Sequence, residues 1–185
     1  MLYTKKGDDG TTKTFACDQR ISKSSKVAEA LGTLDEANSF LGLARARTKD
    51  KSFEIGGEKI KFPELILEIQ QNLFIIQAEV AGATLSIEAE KIEKVEKIVD
   101  EIEKILPPIK TFFISGATKD SAVLDISRTI VRRAERRVVE ATEEGKIKVG
   151  KETLAYLNRL SSLLYALARI ASHLEGEEEI KPDYK

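Results

Sequence analysis

Apolar and polar positions along this chain alternate with helical, not strand, periodicity. Apolar residues recur at three- and four-residue steps over five stretches, and each predicts a helix with one core-facing stripe. The first runs from Ser24 or Ser25 to Arg47, with Val27, Ala30, Leu31, Leu34, Ala37, Asn38, Leu41 and Ala44 along the stripe. The second, 63–84, carries Leu65, Ile66, Ile69, Leu73, Ile76, Val80 and Ala83, and opens on Pro63 in its first turn. The third, 88–106, turns Ile92, Val95, Ile98 or Val99, Ile102 and Ile105 inward and alternates Glu with Lys outside. Pro107-Pro108 stops it. The fourth, 119–143, carries Val123, Ile130, Ala134, Val138 and Ala141, and Gly145 ends it. The fifth, 151–174, carries Leu154, Leu157, Leu160 or Ser161, Leu164, Leu167, Ala168 and Ala171. Long helices joined by short links predict an all-α, antiparallel five-helix bundle, a single domain over residues 1–185. Outside the bundle, 1–24 reads as an irregular loop and 48–62 as a connector with the alternation of a short hairpin arm. The acidic stretch 176–185 reads as a frayed tail.

Composition narrows the function classes. The net charge is −1, so no global field draws in nucleic acid or anionic membrane, and an anion site must come from local clustering. The single cysteine, Cys17, and single histidine, His173, exclude an intrachain disulfide, a Cys-cluster or His-based zinc site and a Ser-His-Asp triad. No apolar run approaches a membrane span and the start of the chain is polar, so a cytoplasmic protein is expected. Abundant Lys, Glu and Ile with no Trp lean toward a heat-adapted source. The uncharged Gln70, Gln71, Asn72 and Gln77 suit a helix or subunit interface and point to an oligomer.

Local clustering occurs on the fourth helix. Arg128, Arg132 and Arg136 are four apart and stack along one face, with Arg133 and Glu135 beside them. Like charges in such a row repel, so either water solvates the row or a polyanion sits on it. Near the start, Gly7 and Gly10 stand among Thr4, Lys5, Lys6, Thr11, Thr12 and Lys13. Glycines there let backbone N–H groups converge into an anion-binding nest; the alternative is a flexible tail turning at Asp9-Gly10. No Walker A motif occurs. Asp35 lies at the edge of the first apolar stripe, either as a surface carboxylate or as a partner for an arginine on another helix. Of the adjacent Phe112 and Phe113, one enters the core and the other walls a cavity, unless both are core plugs. Asn158 sits close to the fifth stripe, where a chain group or a ligand must satisfy it.

Taken together, separated segments resemble the PduO-type ATP:cob(I)alamin adenosyltransferases. They are Tyr-Thr-Lys-Lys-Gly-Asp-Asp-Gly-Thr-Thr at 3–12, Lys23, Glu-Ala-Leu-Gly-Thr-Leu-Asp-Glu at 29–36, Phe-Phe-Ile-Ser-Gly at 112–116, the arginine run 127–138 and Asn-Arg-Leu-Ser at 158–161. The resemblance implies transfer of the 5′-deoxyadenosyl group of ATP to cob(I)alamin, with Co(I) as the nucleophile and Mg²⁺ on the phosphates. It implies a homotrimer with each site between adjacent subunits. ATP would contact Thr4, Lys5, Lys6, Gly7, Thr12, Lys13 and Lys23 from the loop, and Arg132, Arg133, Glu135, Arg136 and Asn158 from the helices. Asp35 and Arg128 would pair across the subunit boundary, and Phe112 would displace the axial ligand at the lower face of the corrin, with Tyr165 in the same pocket. A Co(II) reductase and adenosylcobalamin-dependent enzymes would be partners. The chain departs from the family pattern at Ala117, at Ser162 and at Lys6. Ala117 restricts φ > 0 after Phe112, and Ser162 replaces an acid near the corrin. Two other classes stay open on the residues alone: a helical nucleic-acid binder using the arginine row, which the net charge opposes, and a bundle that kept the fold without activity.

Overall fold

A computed structural model describes residues 3–14 and 19–185; Cys17 lies outside the described residues. The elements in chain order are β1 (Thr11–Lys13), β2 (Arg20–Ser22), α1 (Lys26–Arg47), β3 (Ser52–Ile55) and β4 (Glu58–Lys61). They continue with α2 (Phe62–Val80), α3 (Ala89–Ile105), α4 (Lys119–Glu143) and α5 (Lys151–Leu174). Among the described residues the protein is an all-α bundle of five helices with two small antiparallel hairpins, β1–β2 and β3–β4. The expected irregular loop of 1–24 therefore contains a hairpin. The anticipated arm in the connector is β3–β4, whose turn puts Gly56 and Gly57 at φ 55° and 81°. Two successive positive φ values are what a two-residue turn of right-twisted strands requires.

Helix α1 begins where the Ser25 side chain accepts a hydrogen bond from the Ala28 N–H. Its stripe is partly alanine: Ala30, Ala37 and Ala44 are fully buried between Leu34 and Leu41. Helix α4 answers with the buried Ala134 and Ala141, and small residues on both sides suit two long backbones lying side by side. The two run antiparallel, since Glu29 pairs with Arg137, Glu36 with Arg133 and Arg47 with Asp120. Helix α5 packs on α4 and α3, and every residue from Ala166 to Ser172 is buried. A helix buried all round is an internal one. The second helix stops at Val80, short of the expected 84, because the chain turns at Gly82 with φ 96°. On the third, Ile105 points outward at 40% exposure, since the helix ends there.

Buried polar groups tie the helices together. Asn72 of α2 donates to the Tyr156 hydroxyl of α5 at 3.0 Å, and burial pushes that phenol up to about 12. Glu79 near the end of α2 accepts from the Gly150 N–H at 2.7 Å and from the Thr153 hydroxyl, capping α5 from another helix. Asp120 at the start of α4 accepts from Arg47 at 2.8 and 2.9 Å and from Lys51 at 2.9 Å. The acidic tail, expected to fray, meets the bundle through two residues. Glu179 is bonded twice to the buried Arg169, and the Ile180 carbonyl accepts from the Ile114 N–H at 2.8 Å.

Candidate functional site

A reciprocal cap starts α4: the Thr118 hydroxyl accepts from the Ser121 N–H at 3.1 Å and the Ser121 hydroxyl accepts from the Thr118 N–H at 2.9 Å. Leu124, Val131, Ala134, Val138 and Ala141 then turn to the core, which leaves the arginines on the far side. Their partners divide them. Arg128 donates from Nε to Asp125 at 2.8 Å and lies 5.6 Å from the centre of the Tyr165 ring. Arg133 is paired with Glu36, and Arg137 with Glu140 and Glu29. Arg132 and Arg136 are exposed, and among the described residues neither has a carboxylate partner; Arg136 donates only to the Arg132 carbonyl, at 3.0 Å. Glu135, between them, instead accepts from Asn158 at 3.1 Å. Asn158 is exposed, not close to the core, and its oxygen accepts from Arg159 at 2.8 Å, so chain groups satisfy it.

Arg128 and Arg132 open onto a cleft of about 530 Å³ between α4, α5 and the segment joining α3 to α4. Phe112, Tyr165, Ser161 and Ser162 also line it. Both phenylalanines line the cleft, but Phe112 stands 79% exposed in it, while Phe113 packs under Arg169 at 5.4 Å. Gly116 takes the left-handed turn at φ 98°, and Ala117 does not need to, because Lys5 alone among the described non-glycine residues has positive φ. The alanine departure is thus absorbed without strain. Ser162 puts a neutral hydroxyl on the cleft wall. Among the described residues, no His, Cys or carboxylate lines the cleft.

The N-terminal loop is held by its own side chains. Lys5 and Gly10 take φ 59° and 77°. Arg20 on β2 reaches back to the Thr11 hydroxyl at 2.5 Å, the Thr11 carbonyl at 2.9 Å and the Lys6 carbonyl. Lys23 donates to the Gly7 carbonyl at 2.8 Å, and the Thr4 hydroxyl accepts from the Lys6 N–H at 3.4 Å. Thr12 and Lys13 lie in the hairpin, in register with Ile21 and Arg20. The Thr11 hydrogen bonds hold the Asp9 carboxyl below its ordinary range. Thr4, Lys5, Lys6, Gly7, Thr12 and Lys23 make no hydrogen bond or ion pair with the arginine row or Asn158 of the same chain. Asp35 is exposed on α1 and has no ion pair within the described chain, where Arg128 is engaged by Asp125. One chain thus brings Phe112, Arg128, Arg132 and Tyr165 together around one cleft, which neither Asp35 nor the described loop residues line.

Residues 2–171 match the cobalamin adenosyltransferase family model. The chain belongs to the cobalamin adenosyltransferase family. Relatives within it include the corrinoid adenosyltransferase PduO of Citrobacter freundii, 37% identical over 93% of this chain and 50% of that protein. The corrinoid adenosyltransferase of Bacillus subtilis is 36% identical over 97% of this chain and 91% of its own length. The chain spans about half the length of the Citrobacter freundii and Salmonella typhimurium PduO relatives. Among solved structures, a variant PduO-type ATP:corrinoid adenosyltransferase from Lactobacillus reuteri, complexed with cobalamin and ATP, superposes with a TM-score of 0.87. It is 26% identical and is covered over 97% of its length by 100% of this chain.

Within this adenosyltransferase fold, four contributors are absent from the sequence-based expectations. Asp125 was legible, since an acid three residues before Arg128 on a helix is a neighbour. Arg20 carries no signal, because its targets are backbone carbonyls. Arg169 and Glu179 are joined only by the path of the tail, and the charge of that tail reads as solvation.

Proposed function

We propose that this protein transfers the 5′-deoxyadenosyl group of ATP to cob(I)alamin, forming adenosylcobalamin and releasing triphosphate. One observation carries the reading: a single cleft combines an exposed aromatic, Phe112, with Arg132, whose guanidinium has no carboxylate partner. Co(I) supplies its electron pair to form the bond to C5′, and the triphosphate departs with the electron pair of the C5′–O bond that breaks. No proton moves, which suits a cleft without His, Cys or carboxylate. What the chain must supply is charge for a polyanionic leaving group and alignment. Arg132 and Arg136 are assigned to the triphosphate, beside Arg133, Glu135 and Asn158. Phe112 and Tyr165 are assigned to the corrin, where an apolar ring on the lower face excludes an axial ligand and eases reduction of Co(II). Among the described residues no three His, Cys, Asp or Glu side chains gather to hold a metal, so Mg²⁺ is taken to arrive on the phosphates.

The remaining contacts are assigned to a neighbouring subunit of a homotrimer: Thr4, Lys5, Lys6, Gly7, Thr12, Lys13 and Lys23 on ATP, and Asp35 of the partner subunit against Arg128. Asp35, exposed and without an ion pair within the described chain, supports this, as do the exposed Leu67 and Phe74 of α2. A reductase supplies Co(I), and an adenosylcobalamin-dependent enzyme takes the product. No described helix is long and apolar enough to cross a membrane, and we assign the reaction to the cytoplasm. The test is spectrophotometric: cob(I)alamin and Mg-ATP mixed with the protein should yield a light-sensitive alkyl–cobalt product and one triphosphate per adenosyl group. Absence of product at saturating ATP overturns the assignment.

A further inference from the structure

Phe112 stands on a connection without helix or strand, between α3 and α4. At 79% exposure it has almost no packing of its own, so its neighbours must set its position. Those neighbours converge on one residue of α5. Arg169 is 5% exposed, and its side-chain hydrogen bonds leave the bundle entirely. It donates to both carboxylate oxygens of Glu179, at 2.7 and 2.8 Å, and to the Pro107 carbonyl at 2.9 Å, while its plane lies over Phe113. One residue further along the tail, the Ile180 carbonyl accepts the Ile114 N–H. The connection is therefore anchored at Pro107 on one side of Phe112, and at Phe113 and Ile114 on the other. Removing either partner of so buried a pair strands the other charge, so the contact closes fully or fails.

We propose that Arg169 and Glu179 form a clasp that presets the Phe112 segment for the corrin substrate, with Arg169 a positioning residue that touches no substrate. The inference rests on the function proposed above. An apolar core around α5 is complete without the guanidinium, whose partners all belong to the connection and the tail. The C-terminal tail thus acts as the outer half of the site's support.

Two variants test it: Glu179→Gln, and a chain ending at Gly176. In the substrate-free protein, amide hydrogen exchange across 107–116 should quicken roughly tenfold or more, as one charge-assisted contact is lost. In turnover, kcat should fall roughly tenfold while the KM for ATP stays within about twofold. The four-coordinate fraction of bound Co(II)-cobalamin should fall with it. A merely structural tie would move the melting temperature without this split. Exchange and kcat both near wild type would sink the clasp; faster exchange with unchanged kcat would show a tie that does not serve the reaction, and would sink it equally. If wild-type protein itself gave no product, the proposed function would fail, while the exchange measurement would still decide whether the clasp exists.

Discussion

The arginine face of α4 and the N-terminal loop both present cations, but they are held in opposite ways. The α4 face is fixed from below by a buried stripe and from the side by ion pairs to α1, so Arg132 and Arg136 are in place before any anion arrives. Among its described residues, the loop has no buried stripe. Its shape comes from Arg20 and Lys23 donating to its own carbonyls, so these two cations are engaged until an anion competes for them. A preset charge costs no reorganisation during reaction, whereas a loop that must exchange its bonds expresses itself in affinity. The first region should therefore control turnover and binding together, and the second binding alone.

The largest expected effect separates the two kinds of arginine within the α4 face. Arg132→Ala should lower kcat/KM for ATP roughly a hundredfold, the scale of one charge-assisted contact to a leaving group. Arg133→Ala, whose guanidinium is already engaged by Glu36 and is assigned a place beside the triphosphate, should lose less, roughly fivefold. Equal losses in steady-state kinetics would erase the distinction between paired and unpaired arginines. Next is the anchor of that face. Burial alone would raise the Asp120 carboxyl, but Lys51 and Arg47 outweigh it and hold the group below its ordinary value of 3.8. A folded value below the unfolded one gives stability that is complete above the unfolded value and lost as pH falls through the folded one. Asp120→Asn should thus cost about 2 kcal/mol at neutral pH, with a difference from wild type that shrinks below about pH 4 in denaturant titrations. The smallest effect belongs to the loop. Arg20→Ala should raise the KM for ATP roughly tenfold at unchanged kcat and unchanged melting temperature, and a fall in kcat instead would put Arg20 in the reaction.

Helices α4 and α5 match their expected limits because Gly145, the Lys151 start and the apolar spacing leave little freedom. The stripe itself was less well read: Leu124 and Val131 are buried, and Val123 is only partly so, since α4 is covered by α1 on one side and α5 on the other. Arg132 and Arg136, proposed for the triphosphate, are legible in the sequence as charges, but not as the two without carboxylates among the described residues. That depends on Glu36 and Glu29 arriving from a helix nearly a hundred residues earlier. Asn158 was misplaced toward the core because periodicity fixes a face only to within a residue. The role of Phe112 was separable from that of Phe113 only in three dimensions, where Arg169 covers one ring and leaves the other bare.

The cap on α5 has a consequence for how the chain assembles. Gly150 opens that helix with no side chain, and the acceptor it needs is Glu79, 71 residues back. During synthesis, α2 is complete long before its carboxylate has a donor to meet. The first turn of α5 closes only when the two ends of that long excursion have found each other. Opening the end of α2 uncaps α5 at once, so the two should lose protection as one cooperative unit.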